Sequence, residues 1–388
     1  MKSNYEPLGK HIRLVDYRNS EEVTSTVLGI SIDKEFMPSV ANVIGTDLSR
    51  YKLISKGLFA CNPMHVGRDE RLPIALYEKD SPAIVSPAYF MFEIIDRDVL
   101  NEEYLMMWFR RPEFDRECWF MTDGSVRGGI SWDDLCRIKL PVPSYARQCE
   151  VVESYRAITD RIALKRAEND NLEATAMSLY KSWFIDYEPF DLDDEGLPVG
   201  WCKEKLNDKL STSTQSINPQ KMDCDFVWHY SIPAYDNEKL PSKDTPSSIL
   251  SNKYIVPQNA ILVSKLNPDT KRIWRSVPCF ENAICSTEFI VFSTKEPTHR
   301  AFYYLLFNTG SFIDFLVSNA TGSTNSRMRV KPASSLDFEF ICPPNEVIDS
   351  FCRKVEPLLQ KIEENHLEIR KLKELIPIAV AKMMSSSR

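Results

Sequence analysis

The residues best suited to chemistry in this 388-residue chain are hydrogen-bond donors and acceptors, not acids, bases or nucleophiles. The stretch TGSTNSRMR, Thr321 to Arg329, gathers hydroxyl, amide and guanidinium groups around a glycine, and TDGSVRGG, Thr122 to Gly129, is its counterpart earlier in the chain. A loop of this kind lets the backbone approach another molecule closely, and its side chains suit the base edges and phosphates of a double helix. Ser323, Asn325, Arg327 and Arg329, with Ser125 and Arg127, are therefore the first candidates for DNA contact. A second set, Lys265, Asn267, Lys271, Arg272 and Arg275, lies in a basic stretch whose one acid is Asp269. Asn62, His65, Arg68 and Arg71 take the matching place in the first half. Several of this second set are expected on phosphates, where they would set affinity and salt dependence without reading sequence. Each cluster also admits the plainer reading of a solvated surface turn.

Other chemistries find little footing. The ten cysteines contain no Cys-x-x-Cys pair and the five histidines fall outside ligand spacing from them, so free buried thiols are expected, with no metal site. A methyltransferase would need a glycine-rich cofactor turn and an Asn/Asp-Pro-Pro-aromatic loop; Asn62-Pro63 continues into Met64, and Asn267-Pro268 into Asp269. No phosphate-cradling Gly-x-x-x-x-Gly-Lys-Ser/Thr loop occurs among the 12 glycines. Asp133-Asp134 and Asp193-Asp194 read as capping and turn residues. No catalytic residue and no cofactor are expected. The formal net charge of −7 means that any attraction to DNA has to be local. No run of about 18 apolar residues could cross a bilayer, and Met1 to Lys10 is polar where a signal peptide would be apolar, so a cytoplasmic location is expected.

The elements that must position these residues follow from an internal repeat. Adding 200 to the residue number lays PAIVSPAYFMF, Pro82 to Phe92, on NAICSTEFIVF, Asn282 to Phe292, without a gap, and both read as two strands around a serine-centred bend. LPVP, Leu140 to Pro143, meets ICPP, Ile341 to Pro344, one register apart, each closing a strand and opening a helix. An apolar seam then runs Val151, Tyr155, Ile158, Ile162, Leu172, Ala176, Leu179, Trp183, in steps of three and four except across its middle gap. The same offset gives Phe351, Val355, Leu358, Ile362, Leu372, Ile376, Ala379, Met383. In the gap the seam positions are Lys165, Asn169, Asn365 and Ile369, mostly polar, and they meet at the midpoint if the two helices pack antiparallel. The first helix, from about Arg147 to Phe184, would be roughly 57 Å long. The second, from about Glu346 to Met384, contains Pro357 and Pro377, each expected to kink or locally break it.

The order is globule, helix, globule, helix: residues 1–143, 144–190, 191–343 and 344–388. The fold class is α+β, with two globules of mixed α/β type joined by two long antiparallel helices in a pseudo-twofold repeat. Trp183, Phe184, Tyr187 and Phe190 form an aromatic cluster at the end of the first helix, suited to partner docking or to packing against the neighbouring globule.

This arrangement resembles the specificity subunit of type I restriction-modification enzymes over essentially the whole length. IKLPVPSYARQCEVV, Ile138 to Val152, and SLYKSWFIDYEPF, Ser178 to Phe190, resemble that family's central conserved region. VSKLNPDT and CSTEFIVF, within Val263 to Phe292, resemble its target recognition domains. NEVIDSFCRKVEPLL, at the start of the second helix, is a weaker match. The resemblance implies a non-catalytic subunit in which each globule reads one half of a split sequence in double-stranded DNA and the paired helices act as a spacer. It also implies methyltransferase subunits, two by the symmetry of the repeat, and endonuclease/translocase subunits as partners. A helical scaffold whose globules bind protein is the alternative from another class.

Overall fold

The computed structural model describes residues 5–39, 45–64, 66–122, 128–277, 280–322 and 328–385. It divides into two compact units: Met1–Arg161 with Lys371–Arg388, and Ile162–Arg370. No helix among the described residues is long and apolar enough to cross a membrane.

The first unit contains two four-stranded sheets. One runs in the order Ile12–Leu14, Phe90–Ile94, Phe59–Cys61, Ile74–Leu76 and is antiparallel throughout. The other runs Phe36–Pro38, Val27–Ile30, Ala83–Val85, Lys52–Ile54 and has one parallel pair, Val27 opposite Ile84. Alternate side chains of the first sheet divide between two cores, as the strand period of two requires. Ala60, Ala75 and Met91 face the second sheet with Leu28, Ile54 and Val85. Phe59, Cys61, Ile74 and Phe92 face the helices Glu102–Phe109 and Pro112–Phe120, and Val151, Val152 and Val380 of the long helices join that core. Burial on both faces explains why Phe59–Cys61 and Ile74–Leu76 read as unbroken apolar runs.

The second unit repeats the plan with different side chains. Its sheets run Leu210–Ser213, Phe289–Thr294, Ile261–Ser264, Ile273–Arg275, and Ser242–Asp244, Val227–Tyr230, Ala283–Cys285, Lys253–Ile255, with Ser216–Ile217 added at the edge. The parallel pair recurs, His229 opposite Ile284. Leu262, Trp274 and Val291 point between the sheets. Ile261, Val263, Ile290 and Phe292 point to the helices Arg300–Phe307 and Gly310–Ser318. The serine-centred bends agree in detail. The Ser86 and Ser286 hydroxyls accept from the amides of Ala88 and Glu288, both at 3.3 Å, and their carbonyls accept from Tyr89 at 3.1 Å and Phe289 at 3.0 Å.

Each globule closes with a two-stranded ribbon, Tyr5–Pro7 on Lys139–Pro141 and Cys202–Lys205 on Glu339–Cys342, and the second strand of each leads into a long helix. These are Tyr145–Phe184, the central helix, and Asn345–Ser385, the distal helix. Each contributes part of its length to each unit. In the second unit Phe184 of the central helix meets Phe351 of the distal one at 4.7 Å, and further along Asn169 meets Asn365; rising numbers on one helix against falling numbers on the other make the pair antiparallel. The polar seam is built as its sequence suggests. Asn365 is wholly buried; its amide donates to Asn169 at 2.8 Å and to Glu168 at 2.9 Å, and its oxygen accepts from Lys165 at 3.0 Å.

Two expectations need correcting. Pro357 and Pro377 do not break the distal helix, which runs uninterrupted; both face solvent, where water can satisfy the carbonyl one turn back that loses its donor. The described cysteines are free but not uniformly buried: Cys61, Cys118, Cys285, Cys342 and Cys352 are enclosed, while Cys202 is exposed. Cys202 lies on the ribbon strand Cys202–Lys205, most of which is exposed.

Candidate nucleic-acid interface

In the second unit the two candidate clusters, separated in sequence, come together at one edge. Thr321 and Arg329 exchange a pair of backbone hydrogen bonds at 2.9 Å each, closing the stem of the loop that Ser323, Asn325 and Arg327 belong to. Those three residues lie outside the described ones. The stem stands on the turn that begins at Lys265. The Asn267 amide donates to the Met328 carbonyl at 2.8 Å, the Asn267 side-chain oxygen accepts from the Met328 amide at 3.1 Å, and the Val330 amide donates to the Lys265 carbonyl at 3.0 Å. Asn267 has φ 48°, in the left-handed region that asparagine tolerates better than most residues. That conformation carries both halves of its grip on Met328.

The first unit builds the same junction with other residues. The Ile130 amide donates to the Pro63 carbonyl at 3.1 Å and the Gly67 amide to the Gly128 carbonyl at 2.9 Å. The returning limb of the loop therefore lies against the turn from Asn62 to Asp69. Gly129 is required there: a Cβ would stand 2.8 Å from the Pro63 oxygen. Asn62 holds its turn by accepting from the Met64 amide at 3.1 Å. His65, Ser125 and Arg127 lie outside the described residues. The sequence does show the two Asn-Pro dipeptides, though only as incomplete catalytic loops; their role as footings for the glycine loops comes from the fold.

The cationic candidates divide by what already holds them. Arg329 forks onto Glu288 with two contacts of 3.0 Å, Arg68 onto its neighbour Asp69 at 2.7 and 2.9 Å, and Arg71 reaches Asp33 at 3.2 Å. All three are exposed at the surface. Exposed pairs of this type contribute about 0–1 kcal/mol, so exchanging the carboxylate for a phosphate is inexpensive. Lys271 is exposed beside Asp170 and Glu173 of the central helix. Arg272 is mostly covered and forks onto Asp236 at 2.6 and 2.9 Å.

Arg275 is corrected outright. Its side chain is 6% exposed and pairs with Glu356 and Glu363 of the distal helix, with Arg300 close to the same Glu363. Burial pushes the Glu363 carboxyl above its ordinary range against the pull of the two arginines, and burial lowers Arg300 to about 10. This is an internal ionic cluster tying a sheet to a helix, and it offers nothing to a phosphate.

The aromatic cluster follows the packing alternative. Phe184 is enclosed between Phe302 at 4.9 Å and Phe351 at 4.7 Å. Trp183 stands on Phe190 at 5.7 Å and on Phe351, and Tyr187 and Phe190 close over Trp201 at 5.5 and 4.9 Å. Docking is thus corrected for Phe184, whose ring no partner can reach. No group of His, Cys, Asp and Glu suited to hold a metal ion occurs among the described residues.

No protein-family model matches the chain. The MjaIX type I restriction enzyme specificity subunit of Methanocaldococcus jannaschii is 23% identical over 317 residues, covering 75% of this chain and 70% of that protein. The HindI type I specificity subunit of Haemophilus influenzae is 19% identical over 450 residues, covering 96% of each. Among solved structures, the type I restriction-modification S subunit from M. genitalium aligns with a TM-score of 0.56 at 12% identity, over 98% of this chain and 95% of that one.

Proposed function

We infer that the chain is the specificity subunit of a type I restriction-modification system, the family it resembles over its full length. It recognises a split DNA sequence, one half through each globule, and performs no catalysis of its own. The observation that carries this reading is the repetition of one junction, a glycine loop standing on an Asn-Pro turn, in two units of the same strand order and unlike side chains. A chain that read the same bases twice would have no need of the unlike side chains, and neither would a scaffold holding one kind of partner twice.

Residues 1–143 and 191–343 are the two recognition segments, and 144–190 with 344–388 are the spacer helices. Base contacts come from the loops holding Ser125, Arg127, Ser323, Asn325 and Arg327, and phosphate contacts from Lys265, Lys271, Arg68, Arg71 and Arg329. Asn62 and Asn267 hold the turns in place. With a net charge of −7 the isolated chain draws little on long-range attraction, so methyltransferase subunits supply much of the affinity for DNA; endonuclease/translocase subunits bind the same assembly. Methylome sequencing of the host tests this. One gapped, two-part methylated motif should disappear when the gene is deleted and return on complementation; an unchanged methylome would overturn the reading.

A further inference from the structure

The helix Pro112–Phe120 ends at the foot of the first unit's glycine loop, and its last two residues are Trp119 and Phe120. Phe120 is 86% exposed and Trp119 44%. Rings left in water forgo the free energy that burial of apolar surface returns, so two adjacent ones are an unexpected use of surface. Their place is held from both sides. The Thr122 hydroxyl donates to the Trp119 carbonyl at 2.8 Å, fixing the outgoing limb. The body of the same helix is tied to the Asn62–Leu72 turn, where the Leu72 amide donates to Asp115 at 3.0 Å. Against the returning limb, in the Asn62 turn, stands Met64, which is 50% exposed and whose backbone lies beside Gly129. An exposed apolar side chain therefore stands beside each limb of this loop.

The second unit differs at these positions. The nine-residue helices Pro112–Phe120 and Gly310–Ser318 begin and end alike, so the structure puts Val317 and Ser318 where Trp119 and Phe120 stand, and neither is aromatic. A surface serving one kind of protein partner on both repeats would need the same residues twice. A surface reading two different half-sites would not. Resting on the function proposed above, we propose that Phe120, supported by Trp119, is an apolar wedge that stacks against a base step in the half-site read by the first unit, while the second unit reads its half without one. Apolar wedges of this type unstack a step and bend the duplex, which adds specificity through deformability at positions that make no hydrogen bond.

The test uses the full chain assembled with its methyltransferase partner, and duplexes carrying the motif defined by methylome sequencing, with 2-aminopurine placed in turn along each half. Wild-type protein should raise the fluorescence of the probe at one step, in one half only. Phe120→Ala should abolish that signal and weaken binding to the motif about tenfold, within the range of a lost base–aromatic stack. Binding to random-sequence duplex should stay within twofold, and Phe120→Leu should recover part of the loss. The side chain is exposed, so the melting temperature should not move, which separates the effect from misfolding. Wild-type affinity and wild-type discrimination in Phe120→Ala would overturn the proposal, as would failure of the variant to assemble with its partner, which would make Phe120 a protein contact. Absence of any selective binding by the wild-type assembly would instead overturn the function itself.

Discussion

Every described arginine in the candidate set meets a carboxylate, and the burial of the pair decides what that means. Arg275 and Glu363 are covered together, so their attraction offsets a desolvation cost and the pair belongs to the architecture. Arg329 and Glu288 are exposed, so the pair is weak and exchangeable. Arg329→Ala should leave the melting temperature nearly unchanged while reducing the slope of log affinity against log salt by about one; titrations at several salt concentrations measure it. His229 has a different consequence. Its ring Nδ1 donates to the Asp244 carboxylate at 2.9 Å, and burial holds its pKa below the ordinary 6.5 despite that carboxylate. The unfolded chain then takes up a proton more readily than the folded one. Its contribution is complete above about pH 6.5 and is lost as pH falls through the lower folded value. Urea unfolding between pH 7.5 and 5 should show stability falling toward acid, with a shallower fall in His229→Gln.

At the scale of elements, the polar layer between the long helices shows how a destabilising choice becomes specific. Asn365, Asn169, Lys165 and Glu168 satisfy one another inside an otherwise apolar seam, and no shifted register offers the same partners. Asn365→Leu adds apolar surface yet should cost about 1–3 kcal/mol, because it strands the buried Asn169. Changing Asn169 to leucine as well should recover most of the loss. Chemical denaturation of the two variants distinguishes this from simple packing, in which the single change would stabilise. The Asn-Pro turns make the same point for loops: Asn267 holds Met328 through its backbone and its side chain together.

For the whole molecule, the repeat implies that specificity is modular. The two units share strand order, helix positions and loop footings, so the frame is common and the readout is local. Exchanging residues 191–343 for the equivalent segment of a chain with another specificity should change one half of the methylated motif and preserve the other half and the gap between them. Methylome sequencing of the hybrid strain reads this directly; a change in both halves would show that the units do not read independently.

The sequence by itself determined the repeat, the serine-centred bends and part of the seams of the long helices, where Val151, Ile162, Ala176, Phe351, Val355 and Ile362 are buried as spaced but Tyr180, Phe184, Leu359 and Val380 are buried in place of their neighbours. Each depends on a period or an offset that survives along the chain, since alternate burial in strands and steps of three and four in helices are written residue by residue. It also placed Asn365 and Lys165 at one crossing, because an antiparallel pair has only one midpoint. Only the tertiary structure decided that the Lys265 turn carries the Thr321–Arg329 stem, that Arg275 is spent inside the second unit, that Phe184 is sealed, and that the distal helix runs through its prolines. These depend on which carboxylate, carbonyl or ring arrives from elsewhere in the chain. Contacts of that range have no period to reveal them, and a carboxylate such as Glu288 looks the same in sequence whether it neutralises a candidate or faces water.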